Sequence, residues 1–198
     1  MIKHLKELYE YRMLLWVFVY RDIKARYKQT SIGIAWAIIQ PMFLMFVFTL
    51  VFSYFFKVNT GGKPYPIFSY VALLPWTFIA RAMTASGTQF IGSRGLITRI
   101  YFPREIIPLS TTLSALVDFV FGSLVFIVML LYYQIPFSPS FFFVLLILPI
   151  QILLASGLAL FSTTMISLFR DFEFAVPLIT QLGMYASPII YSVHNLQP

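Results

Sequence analysis

QTSIGIAWAIIQPMFLMFVFTLVFSYFF, residues Gln29 to Phe56, carries no charged side chain over 28 positions. A helix rises about 1.5 Å per residue, so roughly 20 apolar residues cross a bilayer core. This stretch is long enough to span, and it sets the fold class as membrane-helical. A second run supports the reading: 51 uncharged residues separate Asp118 from Arg170, room for two further spans and a turn.

Composition agrees. Hydrophobic residues make up 60% of the 198 and charged ones 11%, with a mean hydropathy of +0.85. Soluble domains carry about 25% charged residues. Five spans with short loops use up the chain and leave no room for a soluble catalytic domain. There are no cysteines, which excludes disulfides and thiolate chemistry. Met1–Arg12 is charged and lacks the apolar core and cleavage site of a signal peptide, so the N-terminus reads as mature.

Working outward, Leu5–Lys28 predicts one helix without Pro or Gly. Its longest apolar stretch, Met13–Tyr20, is too short to span. Arg21, Lys24 and Lys28 fall on one face by their spacing, and Trp16, Tyr20 and Tyr27 suit the headgroup layer. The segment reads as an amphipathic helix lying in the interface. Spans are expected at Gly33–Phe56, Ile67–Ile91 (kinked at Pro75), Ile106–Leu131, Phe141–Phe169 and Phe174–Ile190. The connections are Lys57–Pro66, Gly92–Glu105, Tyr132–Ser140 and Arg170–Glu173. With the N-terminus inside, eleven Lys and Arg residues lie on the inner side, against Lys57 and Lys63 outside. The positive-inside rule therefore predicts a cytoplasmic N-terminus and leaves Pro198 outside. No internal repeat of the inverted-transporter kind is visible.

Little of the chemistry of an enzyme is present. No G-x-x-x-x-G-K-[ST] loop occurs, so no phosphate cradle is evident. His4 and His194 fall on opposite sides of the membrane and share no metal. Gly92-Ser93-Arg94-Gly95 falls one residue short of a nucleophile elbow. Any energy for transport comes from elsewhere.

Five features are candidates for function. The loop Gly92–Glu105 holds apolar Leu96, Ile97, Ile100, Tyr101 and Phe102, too few to build a core of their own. They either dip into the membrane surface or dock on a soluble partner, and both readings stay open. Arg81 and Asp118 lie within spans, about 16 Å and about 20 Å above that same loop on antiparallel helices. Similar depth and opposite charge predict an ion pair, with helix packing favoured over substrate binding as its purpose. The 22 Phe, 12 Tyr and 3 Trp suit lipid-facing belts, or a path on which sugar rings stack. Ala155, Ser156, Gly157 and Ala159 permit close helix approach, within the chain or at a subunit interface. The basic N-terminal helix suits anionic headgroups, or guides a lipid diphosphate from the inner leaflet.

A series of short motifs runs along the chain: Tyr11-Arg12, Arg21–Thr30, Gly33, Trp36, Gln40-Pro41, Leu73–Trp76, Ile100–Glu105, Leu116–Phe119, Arg170-Asp171 through Pro177, and Ser187–Tyr191. In this order they resemble the membrane subunit of bacterial ABC-2 type exporters of lipid-linked polysaccharides such as O-antigen, capsule or teichoic acid. The resemblance implies one membrane domain over residues 1–198, with a gate helix in 1–30 and spanning helices in 31–190. It implies a homodimer with two ATP-binding subunits, where ATP and Mg are bound. This chain would hold no cofactor, catalytic residue or metal, and would take no nucleic acid partner. Gly95, Leu96, Ile97, Thr98, Arg99, Ile100, Tyr101, Phe102 and Pro103 would couple to the ATPase. Arg21, Lys24, Arg26 and Lys28 would belong to the gate helix beside the lateral opening for an undecaprenyl-type lipid-linked glycan. The place implied is the bacterial inner membrane, in several passes. The family has six spans, with re-entrant segments after the fifth, so a C-terminal part is expected to be missing here. The rival readings are export of a drug or small lipid, a membrane-embedded enzyme acting on lipid-linked sugars, and a passive anchor.

Overall fold

A computed structural model describes residues 2–28, 30–55, 64–136 and 142–189; side chains are described from residue 6 onward, Leu145 excepted. Among the described residues the fold is wholly helical. Helix α1 covers Ile2–Glu10 and α2 covers Arg12–Tyr27; a 3-10 turn, Gly33–Ala35, leads into α3, Trp36–Phe48, whose end widens into a π-helical segment, Thr49–Phe55. The remaining helices are α4 (Tyr65–Gly92), α5 (Arg94–Ile97), α6 (Ile106–Tyr132), α7 (Phe143–Leu168) and α8 (Phe172–Ala186).

The single helix expected over Leu5–Lys28 is divided. At Tyr11 the backbone (φ −89°, ψ 14°) leaves the helical well. Leu8, Tyr11, Leu14, Leu15 and Phe18 all reach one apolar cluster across that break. Gly33 turns the chain from α2 into the first span at φ +61°, a left-handed conformation that suits glycine.

Among the described residues, four helical segments are long and apolar enough to cross a membrane: Gly33–Phe55, Tyr65–Gly92, Ile106–Tyr132 and Leu146–Leu168. The expected fifth, Phe174–Ile190, differs. Helix α8 runs from Phe172 and ends at Ala186, 15 residues or about 22 Å, short of a bilayer core of about 30 Å. The stop is chemical. Pro188 disfavours helical backbone at the residue before it, and Ser187 is extended at ψ 150°. Ile190–Pro198, with His194 and the question of missing C-terminal segments, lie outside the described residues. So do most of the loop Lys57–Pro66 and the end of the turn Tyr132–Ser140.

Helix α4 is the hub, packed by α6 and α7 and flanked by α3 and α8. It stays helical through Pro75, whose carbonyl accepts from Gln151 Nε2 of α7 at 3.1 Å. Small residues set the spacing. Ala82, Ala115, Ala155 and Ala159 are buried together beside Phe78. Ser86 and Ser162 share a hydrogen bond at 3.1 Å between α4 and α7. Ala155 and Ala159 thus pack within the chain, whereas a methyl group added to Gly157 would meet nothing within 4 Å. The outer faces are apolar, with Phe43, Phe46, Ile150, Leu153 and Leu182 all more than half exposed. This inside-out pattern suits a surface solvated by lipid rather than water.

Candidate functional site

The site grows from Asp118, midway along α6 and 8% exposed. A lone carboxylate there is expensive, and the structure surrounds it with donors. Arg81 of α4 places Nη1 3.1 Å from Asp118 Oδ2. The two residues that matched in depth by sequence are therefore in contact. Two further groups come from outside the spans. Arg26 of α2 donates from Nη1 to Asp118 Oδ2, and Tyr27 donates its hydroxyl to Oδ1. Arg26 Nη2 also reaches Ser114 Oγ at 3.2 Å, one turn from Asp118 on α6. Burial raises the Tyr27 hydroxyl pKa first, and the hydrogen bond to the Asp118 carboxylate adds to the shift.

Sequence reasoning placed Arg26 on the gate helix and Tyr27 in the headgroup layer, but found the bond of neither to Asp118. A signal existed. Phe18, Asp22 and Arg26 recur every four residues on α2, a stripe that faces the bundle rather than water. Arg21, Lys24 and Lys28, singled out for sharing a face, do not join the cluster. Lys24 and Lys28 are exposed, with the Lys24 ammonium 5.5 Å from the centre of the Tyr20 ring. Arg21 lies over Phe18, its Cζ 4.6 Å from the ring centre. Its Nη2 comes within 3.4 Å of Ser93 Oγ and 3.5 Å of Gln89 Oε1, at the end of α4.

Asp22 is a second buried carboxylate that sequence reading passed over. It is 3% exposed, meets Arg21 Nη2 at 3.4 Å through Oδ1, and leaves Oδ2 without a partner among the described residues. Burial pushes its carboxyl up from the ordinary range, outweighing the pull of Arg21.

The loop after α4 corrects an expectation. Its apolar residues do not all stand free, because the N-terminal helices cover part of it. Phe102 is 5% exposed, its ring 5.7 Å from that of Phe18. Leu96 and Ile97 pack on the same cluster with Leu8, Leu14 and Leu15. A short loop cannot hide a phenylalanine alone, but α1 and α2 supply the missing layer. Ile100 and Tyr101 remain outside, 56% and 80% exposed. Tyr101 only leans back, its hydroxyl donating to Glu7 Oε1 at 3.3 Å. Gly95, Thr98 and Arg99 are also exposed, and Pro103 is half-buried.

Three hollows meet at the charge cluster, and Arg81 lines all of them. One of about 130 Å³ lies among Gln40, Leu74, Phe78, Asp118 and Phe119. One of about 240 Å³ is bounded by Arg26, Tyr27, Thr30, Trp36 and Gln40. The largest, about 470 Å³, lies between α2 and α4 along Asp22, Arg26, Thr84, Thr88 and Gln89. No three His, Asp or Glu side chains converge on a metal-sized site among the described residues.

Comparison with known proteins follows the same lines. The family model described as ABC-2 type transporter matches residues 13–198. An O-antigen export system permease protein RfbA of Myxococcus xanthus is 29% identical over 198 residues, which is 100% of this chain and 75% of the relative. A Klebsiella pneumoniae protein of the same name is 31% identical over 180 residues, 90% of this chain and 69% of the relative.

Proposed function

The chain belongs to the ABC-2 type transporter family, and on that premise we propose that it is the permease subunit of an ATP-driven exporter of an O-antigen-like polysaccharide. It is a multi-pass protein of the bacterial inner membrane. The family works with a separate ABC subunit that binds ATP. Two permeases and two ATP-binding subunits form the working unit in this reading, and the cargo rides on an undecaprenyl-type lipid. Residues 1–198 act as one membrane domain, with the gate helix in 1–30.

The observation that supports coupling is the loop at Arg94–Phe102. Ile100 and Tyr101 are presented outward on a segment that Phe102 clamps to α2. An exposed apolar pair on a fixed base suits docking. Within Gly95–Pro103, Ile100 and Tyr101 meet the ATP-binding subunit and Phe102 transmits the load. The gate helix carries Lys24 and Lys28 toward anionic headgroups and Arg26 toward the spans. Asp118 positions Arg26, Tyr27 and Arg81, and so is spoken for as a structural carboxylate; that counts against the enzyme reading.

Co-purification from mild detergent with its ATP-binding subunit tests the reading. Wild type captures the subunit and Ile100→Asp does not. Equal capture by both removes the docking assignment.

A further inference from the structure

Asp22 sits where α2 meets α4, buried, with Oδ2 unpartnered among the described residues. Its other oxygen meets Arg21 Nη2 at 3.4 Å, long for an ion pair, and Arg21 also approaches Ser93 and Gln89. One turn on, Arg26 stands at the spacing at which an Asp and a following Arg pair along a helix. Arg26 is committed elsewhere. Its Nη1 is on Asp118 Oδ2, and its Nη2 is 3.2 Å from Ser114 Oγ. Two carboxylates thus compete for one guanidinium, and Asp118 holds it. Asp118 does not depend on it alone, because Arg81 at 3.1 Å and the Tyr27 hydroxyl also serve it.

A neutral acid is buried at small cost, whereas an ionised carboxylate with an unsatisfied oxygen is expensive. Burial accordingly holds the Asp22 carboxyl above its ordinary range, against the pull of Arg21 and Arg26. Those two are its charged neighbours on α2. On α4 the charged group is Arg81, which lines the same hollow, and on α6 it is Asp118, beyond Arg26. The rest of the wall is neutral, with Thr84, Thr88 and Gln89.

We propose that Asp22 is a proton-operated lock on α2, which decides whether Arg26 stays with Asp118 or turns back to its own helix. With the proton on Asp22, Arg26 remains on Asp118 and α2 is fastened to α6. When Asp22 gives its proton to water in the adjoining hollow of about 470 Å³, the new carboxylate draws Arg26 back along α2. The bond from Arg26 to Asp118 breaks, while Arg81 and Tyr27 keep Asp118 satisfied. The Arg26 end of α2 then moves away from the spans. The Phe18 end stays, because its contact with Phe102 is apolar and does not titrate. The lock is closed below the folded pKa of Asp22 and open above it. The inference goes beyond the export reading and holds whatever the cargo.

The chain has no cysteine, so a label pair can be placed without background. Ala25 of α2 and Ala85 of α4 both line the hollow. Ala25→Cys and Ala85→Cys are introduced together, spin-labelled in the full chain in phosphatidylcholine nanodiscs, and their dipolar broadening is followed as pH is raised. The labels separate in one step, with a midpoint above the ordinary carboxylate value of about 4. Asp22→Asn, which keeps the neutral shape, holds them close at every pH. Arg21→Gln removes a positive charge beside Asp22 and moves the midpoint to higher pH. Glu7→Gln neutralises a carboxylate that is engaged with Tyr101 instead, and leaves the step as in wild type. A constant separation in the labelled wild-type background from about pH 4 to about pH 9 overturns the lock. So does the same step in Asp22→Asn, a midpoint lowered by Arg21→Gln, or loss of the step in Glu7→Gln.

Discussion

Arg26 on the interfacial helix and Asp118 in the third span are 92 residues apart in the chain and joined by an ion pair. The contact fastens a helix lying outside the spans to the interior of the bundle. It acts beside the apolar cluster around Phe18, the Tyr27 hydroxyl on Asp118 and the Arg21 contacts with Gln89 and Ser93.

The network is unequal, and mutation should expose that. Asp118→Ala strands two guanidiniums and costs about 3–5 kcal/mol, as breaking a buried pair does. Arg81→Ala costs less, because Arg26 and Tyr27 still satisfy Asp118. The double variant is less damaged than the sum of the singles. Thermal unfolding in detergent measures this, and strict additivity would show that the residues are not coupled.

Phe102 and Ile100 are two positions apart but have different duties. Phe102→Ala removes a buried ring from the loop–α2 junction and costs about 3–5 kcal/mol. Ile100→Asp, on an exposed position, changes stability by less than about 0.5 kcal/mol. Melting curves of the two variants should separate accordingly.

Asp22 predicts a pH effect. Its folded pKa is raised, so the native state holds that proton more tightly than the unfolded chain. The stability it contributes is complete below the ordinary carboxylate range and is lost as pH rises through the folded value. Asp22→Asn keeps the neutral shape throughout. The variant therefore melts higher than wild type at neutral pH, and the difference closes toward about pH 4. A difference that grows on acidification would contradict the assignment.

Gly183 lies against the Trp76 indole. A methyl at Gly183 would sit 2.8 Å from Trp76 Cη2 and 3.0 Å from Cζ2. The ring is rigid, so Gly183→Ala displaces α8 from α4 and costs about 1–3 kcal/mol. Trp76→Phe in the same chain restores most of it. Differential scanning fluorimetry of the single and double variants decides.

Much of this arrangement was legible. Charge-free runs mark the spans because lipid tolerates few charges, and equal depth on antiparallel helices brought Arg81 opposite Asp118. What escaped depends on α2. Nothing in the sequence near Phe102 says that a helix from the chain's start lies over it. For the same reason Arg26 and Tyr27 read as surface residues although they enter the bundle. Helical spacing orders residues around an axis; it does not say which side meets the bundle. The early end of α8 was readable at Pro188, but the apolar residues on both sides of it masked the stop.

The most direct test of export is the cell surface. In cells whose own copy is deleted, wild type should restore surface polysaccharide. Ile100→Asp, made to the same level in the membrane, should leave the polymer lipid-linked inside. Surface polymer in the deletion strain without this chain, or full restoration by Ile100→Asp, would contradict the account.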